Sequence, residues 1–250
     1  MRSPISSFVL LVLLAGSCAS ETAVSPPPAE PTPSTRRSPD PIDPTPTPVA
    51  TPAPSIGPFP PGIPATYGPN VAAEDVPPEA LIPADALPTG EWFAFTDTGV
   101  TILIAWAETG EDITRSPRGI AVWRRAGSAP HWRLVSARTH RANEGVTEIQ
   151  VTAADVTGDA SDDAIVFEGT GGSGACGTWL VLELRSLEPI FDRDLCDARV
   201  EPSAAAPGLA LTESVYREGD AHCCPSAIRV TTFDWVGSRW RVTDRLETPA

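Results

Sequence analysis

From Glu91 to the end of the chain, apolar and polar residues alternate with a period of two, and clusters of Gly, Pro, Asp and Ser cut the alternation into short runs. The runs "EWFAFT", "VTILIAWA", "GIAVWRR", "HWRLVSA", "TEIQVTA", "DAIVFEG", "TWLVLELR", "LALTESVY", "IRVTTFDW" and "RWRVTDR" read as strands. No stretch carries the 3.6-residue period of a useful helix, and "PPEALIPADAL" is expected to make one turn at the entry. About ten strands predict one all-β antiparallel domain, a sandwich or a partial propeller, too few for a complete propeller. A weak echo, "WRRAGSAPHWRLV" and "WVGSRWRVT", predicts two hairpins, one flanked by Trp123 and Trp132, the other by Trp235 and Trp240.

Upstream the pattern is different. "FVLLVLLA", Phe8 to Ala15, is a short apolar run behind Arg2, too short to span a bilayer, and residues 1–17 read as an export signal. "LLAGSC" resembles a bacterial lipobox, which implies that Cys18 is the lipidated residue after cleavage; Ala15 stands where the motif prefers Leu. Of 29 prolines, 17 fall between Pro26 and Pro69 with hardly a large apolar residue among them, so residues 18–70 are expected to be a disordered Pro/Thr-rich spacer. The globular domain is expected over 71–250, with folding proper starting near Ala80. These readings place the protein on the outer face of the cell membrane, held there by lipid.

The net charge of -14 excludes one class of partner. All 18 basic residues are arginine, and from Val71 onward 15 Arg stand against 28 Asp plus Glu, a net of -13. Such a domain is repelled by phosphate backbones, so nucleic acid is not an expected partner.

With Cys18 set aside, Cys176, Cys196, Cys223 and Cys224 form an even set in an exported chain, and two disulfides are expected. Sequence neighbours rarely bridge each other because the geometry is strained, so the preferred pairing joins Cys176 and Cys196 each to one of Cys223 and Cys224. Zinc on His222, Cys223 and Cys224 together with Cys176 and Cys196 is the disfavoured alternative, since thiols oxidise in that compartment.

"DVTGDASDD", Asp155 to Asp163, is the densest acidic stretch. Asp155, Thr157, Asp159 and Asp163 occupy positions 1, 3, 5 and 9, where oxygens can converge on calcium, a hard cation. The spacing resembles the calcium loop of FG-GAP or VCBS repeats, with Thr157 in place of Asn and Ala160 in place of the second Gly. The metal-free alternative is a Thr-Gly turn whose Asp side chains cap backbone amides. "GTGGSG", Gly169 to Gly174, matches a dinucleotide fingerprint in letters only, because a strand follows it where a helix is required; Ser173 fails as a nucleophile elbow for the same reason.

Together the lipobox, the spacer, "DVTGDASDDAIVFEGTGGSGACGTW" and "YREGDAHCCPSAIRVTTFDWVGSRW" resemble the secreted actinobacterial lipoproteins of the LppP/LprE kind. The likeness runs over about Val146 to Asp244 and implies a location without a reaction. The expected function is a non-catalytic, lipid-anchored β domain that binds an envelope component or a protein partner. Two alternatives stand beside it: an envelope hydrolase uniting the acidic loop with His222, and a calcium-stabilised adhesion module.

Overall fold

The computed structural model describes residues 62–68, 71–96, 99–110, 112, 115–204 and 207–250, with 95 and 96 described by backbone alone. The export signal, Cys18 and the spacer as far as residue 61 lie outside the described residues.

Three antiparallel sheets follow one another along the chain. Sheet A contains β1 (Thr66–Tyr67), β2 (Ala86–Thr96), β3 (Gly99–Glu108), β4 (Arg118–Ala126) and β5 (Trp132–His140), in the order β1-β5-β4-β3-β2. Sheet B contains β6 (Glu148–Ala154), β7 (Asp163–Gly171), β8 (Cys176–Glu183) and β9 (Glu188–Leu195) in sequence order. Sheet C contains β10 (Ala198–Pro202), β11 (Leu209–Val215), β12 (Ala227–Trp235) and β13 (Trp240–Pro249), again in sequence order. Each sheet is therefore a four-strand meander, with β1 as an added edge on the first. Three such meanders match the partial-propeller expectation rather than a two-sheet sandwich.

Alternation along the strands explains why the sheets stack face to face. In β3 the residues Leu103 and Ala105 point to one side, and with Ile120 and Val122 of β4 they meet Ala164, Val166 and Leu180 of sheet B. The intervening Ile102, Ile104 and Trp106 point to the other side, where Leu81, Ile82 and Val76 cover them together with Trp123 and Trp132. Sheet B repeats the arrangement: Ile165, Phe167, Trp179 and Val181 leave its far face and pack on Val200, Leu209, Leu211 and Phe233 of sheet C. Burying both faces of β3 and β7 is what turns their alternation into nearly unbroken apolar runs.

Folding begins earlier than the sequence pattern indicates. Ile63 is buried, and β1 pairs with β5 through Thr66–Arg133 and Tyr67–Trp132. A few apolar anchors inside a Pro-rich tract are enough to tie it to a sheet edge. The stretch Pro78–Leu81 makes the expected single turn, of 3-10 type, and its Leu81 carbonyl accepts a hydrogen bond from Trp123 Nε1 at 3.0 Å. Both Trp hairpins form, in corresponding places: β4–β5 and β12–β13 are the third and fourth meander strands of sheets A and C. In the second, Trp235 and Trp240 pair across the ladder with ring centroids 4.8 Å apart.

Candidate functional site

The acidic stretch forms the β6–β7 connection, and its carboxylates turn inward. Asp155 accepts backbone amides from Gly158 at 2.6 Å, Asp159 at 3.2 Å and Ala160 at 2.9 Å. Asp159 accepts the amide of Ser161, and Asp163 accepts those of Val156 and Thr157, both at 3.1 Å. Gly158 sits at φ +80°, where a β-carbon would strike Pro207 at 2.8 Å, and Ala160 takes a left-handed φ of 65° at the place where the FG-GAP pattern has glycine. This is the amide-capping turn that the sequence offered as the metal-free alternative. Among the described residues no group of three or more His, Cys, Asp or Glu side chains converges to hold a metal ion.

Asp163 is the loop's buried member. Desolvation pushes its carboxyl up to about 6, against the pull of the hydrogen bonds from Thr157 and Val156.

A hydrolase would need the acidic loop and His222 in one cleft, and β7 separates them. The loop ends where β7 begins, at Asp163, whereas the β7–β8 turn follows Gly171. At the strand rise that separation is about 27 Å. His222 belongs to the far end: a β-carbon placed on Gly174 would lie 3.3 Å from its Nε2 and 3.6 Å from Cys176 Sγ. The stretch "GTGGSG" completes β7 and enters that turn with no helix behind it, so Ser173 is a turn residue.

The cysteines pair differently from the expectation. Cys176 bonds to Cys196, while Cys223 and Cys224 are free and exposed. The reason lies in the β8–β9 ladder: Gly177 pairs with Leu195, so one step further the two strands bring Cys176 opposite Cys196. The missing sequence signal was β9 itself, "EPIFDRDL", whose burial rests on Phe191 alone.

Beside this disulfide lies a groove of about 420 Å³. One wall is β6, the outer strand of sheet B, and the other is β10, the outer strand of sheet C. Phe167 and Trp179 form an apolar floor, their ring centroids 4.6 Å apart. Gln150 and Thr152 line the β6 side; Arg199 and Glu201, paired at 2.7 Å, line the β10 side. Ala175, next to Cys176, and Ala198, two residues after Cys196, close the disulfide end. Trp179 is 9% exposed, and its indole Nε1 has no hydrogen-bond partner among the described residues. A buried donor left unpaired costs about 1–3 kcal/mol.

Sequence reasoning passed over this groove because its residues are scattered from Gln150 to Pro202 and form no motif. The available signal was register: Gln150 pairs with Phe167 and Thr152 with Ile165, which places two polar side chains on the face carrying the aromatic floor. His140 of β5 lies against Glu168 of β7. His131 packs over Gly68 where β1 meets β5, as a structural residue does.

Compared with protein-family models, curated proteins and solved structures, the chain matches none.

Proposed function

We propose that this is an envelope lipoprotein of the LppP/LprE kind, anchored through Cys18, whose β domain binds a saccharide component of the envelope without transforming it. The observation that carries the binding reading is the groove between β6 and β10: an aromatic floor and a rim of amide, hydroxyl, guanidinium and carboxylate. A polyhydroxylated ring fits that chemistry, since its C–H face packs on aromatic carbon while its hydroxyls donate and accept at the rim. The volume falls within the usual range for small-ligand sites. The Cys176–Cys196 bond supports an oxidising compartment, in keeping with export.

Binding is tested by titrating the full-length protein with soluble glycan fragments released from the cell wall, read by calorimetry. Arg199→Ala and Gln150→Ala are expected to weaken binding about tenfold each, in line with loss of one rim hydrogen bond. Glycan binding that both variants leave unchanged, or no binding to any fragment, overturns the reading. Anchoring is tested separately by labelled palmitate, whose incorporation is expected to vanish in Cys18→Ala.

A further inference from the structure

The disulfide end carries a second chemistry that the saccharide reading does not use. The β11–β12 loop, Tyr216 to Ser226, is held from three directions. Tyr216 Oη lies 3.0 Å from an oxygen of Asp197 and 2.8 Å from the His222 carbonyl, so one hydroxyl ties the loop to the residue after Cys196. Asp220 accepts the amides of Arg217 at 2.7 Å and Ser226 at 3.0 Å, and the Ser226 hydroxyl as well. Cys224 donates its amide to the Ala221 carbonyl at 2.9 Å. The hydrogen-bonded frame leaves two side chains pointing outward together: Cys223 Sγ and Cys224 Sγ are 2.8 Å apart, and both residues are exposed.

That separation lies inside the contact distance of unbonded heavy atoms, about 3.5–4.0 Å for carbon, and outside the S–S bond length of about 2.05 Å. Among the described residues neither thiol has another cysteine to bond, because Cys176 and Cys196 are committed to each other. The sequence rule that neighbouring cysteines rarely bridge still applies, and its physical content is strain. A strained disulfide is a more reducible one, and such bonds are the labile members of a protein's set.

We propose that Cys223 and Cys224 form a vicinal dithiol/disulfide couple that exchanges with an external disulfide, while Cys176–Cys196 stays closed as the structural bond. In the forward direction the thiolate of one cysteine attacks a sulfur of the external disulfide and expels the first thiolate, leaving a mixed disulfide on the protein. The second cysteine then attacks the protein sulfur and expels the other. The external disulfide is reduced to two thiols, which take the two protons that Cys223 and Cys224 lose, and the two protein sulfurs are oxidised to one S–S bond. Cys224 suits the second role, because the hydrogen bond to Cys223 and the nearby Asp220 charge raise its thiol and make it the weaker first attacker. The site is independent of anchoring and of the glycan groove.

The test equilibrates the full-length protein in glutathione buffers of graded oxidation, traps free thiols by alkylation, and digests with trypsin, which cuts this lysine-free chain only at arginine. Cleavage at Arg217 and Arg229 isolates Cys223 and Cys224 on a single peptide, residues 218–229, separate from those carrying Cys176 and Cys196. The expected result is a reversible change of that peptide from doubly alkylated to unalkylated and lighter by two hydrogens, at a more oxidising poise than opens Cys176–Cys196. In Cys224→Ser, glutathione is expected to remain trapped on Cys223. The proposal is overturned if the peptide carries glutathione on both cysteines with no internal bond, if it appears cross-linked to the Cys176 or Cys196 peptide, or if it stays doubly alkylated at every poise.

Discussion

Glu168 Oε1 lies 2.9 Å from His140 Nε2 across the seam between sheets B and A. The same carboxylate reaches Arg138 at 2.8 Å through its other oxygen, and it is 1% exposed. The Arg138 contact is an ion pair, and neither approach has the alignment of a hydrogen bond. Arg118 and Arg124 reinforce the seam by donating to the carbonyls of Thr147 and Leu184.

Replacing the buried charge tests whether the seam is held electrostatically. Breaking a buried pair costs about 3–5 kcal/mol when the remaining charge stays buried. Arg138 is half exposed and can return to water, so Glu168→Gln is expected to cost less, about 2 kcal/mol. Urea unfolding of the variant measures it, and an unchanged midpoint would show that packing alone holds sheets A and B together.

Asp163 gives stability a pH dependence of definite sign. Its folded carboxyl is raised to about 6, above the ordinary value, so the native state holds the proton more tightly than the unfolded chain. Its contribution is fully present below about pH 4 and is lost as pH rises through about 6, by at most roughly 3 kcal/mol. Asp163→Asn keeps an oxygen that can accept the Val156 and Thr157 amides, and it is expected to remove this dependence from melts taken between pH 4 and 8. A variant that retains the full slope would locate its source elsewhere.

The acidic loop is expected to behave as a turn. Melts in chelator and in excess calcium should coincide, and Asp155→Ala should lower stability by about 1–3 kcal/mol in both, because three amides lose their acceptor. A calcium-dependent rise in midpoint that Asp155→Ala and Asp159→Ala both abolish would instead make the loop a metal site.

Ala160 offers the opposite experiment, a gain. A left-handed conformation costs a residue with a β-carbon about 1–2 kcal/mol relative to glycine, offset in part by glycine's greater freedom when unfolded. Ala160→Gly is therefore expected to raise the midpoint, by about 0.5–1 kcal/mol in chemical denaturation. A lower midpoint would mean that the alanine methyl makes a contact worth more than its strain.

What the sequence made legible follows from burial. Strands with two buried faces, such as β3 and β7, announce themselves as nearly continuous apolar runs. Two of the edge strands do not. β9 buries little besides Phe191 and carries Pro189, and β10 buries only Val200, so neither shows a period that could be read in one chain. The disulfide was misassigned for this reason, since without β9 nothing places Cys196 opposite Cys176. The groove was hidden on the same ground, because β10 forms one of its walls.

The succession of sheets also bears on how the molecule is assembled. Strand neighbours within a sheet are neighbours in sequence, β1 excepted, and the two buried layers between sheets each join one sheet to the next in the chain. A polypeptide delivered N-terminus first can therefore complete sheet A before sheet B has emerged, and B before C, with no early strand waiting for a distant one. Each finished sheet exposes one apolar face until its successor arrives. The moment of greatest risk is the interval after β9, when Phe167, Trp179 and Phe191 face water and sheet C is still to come.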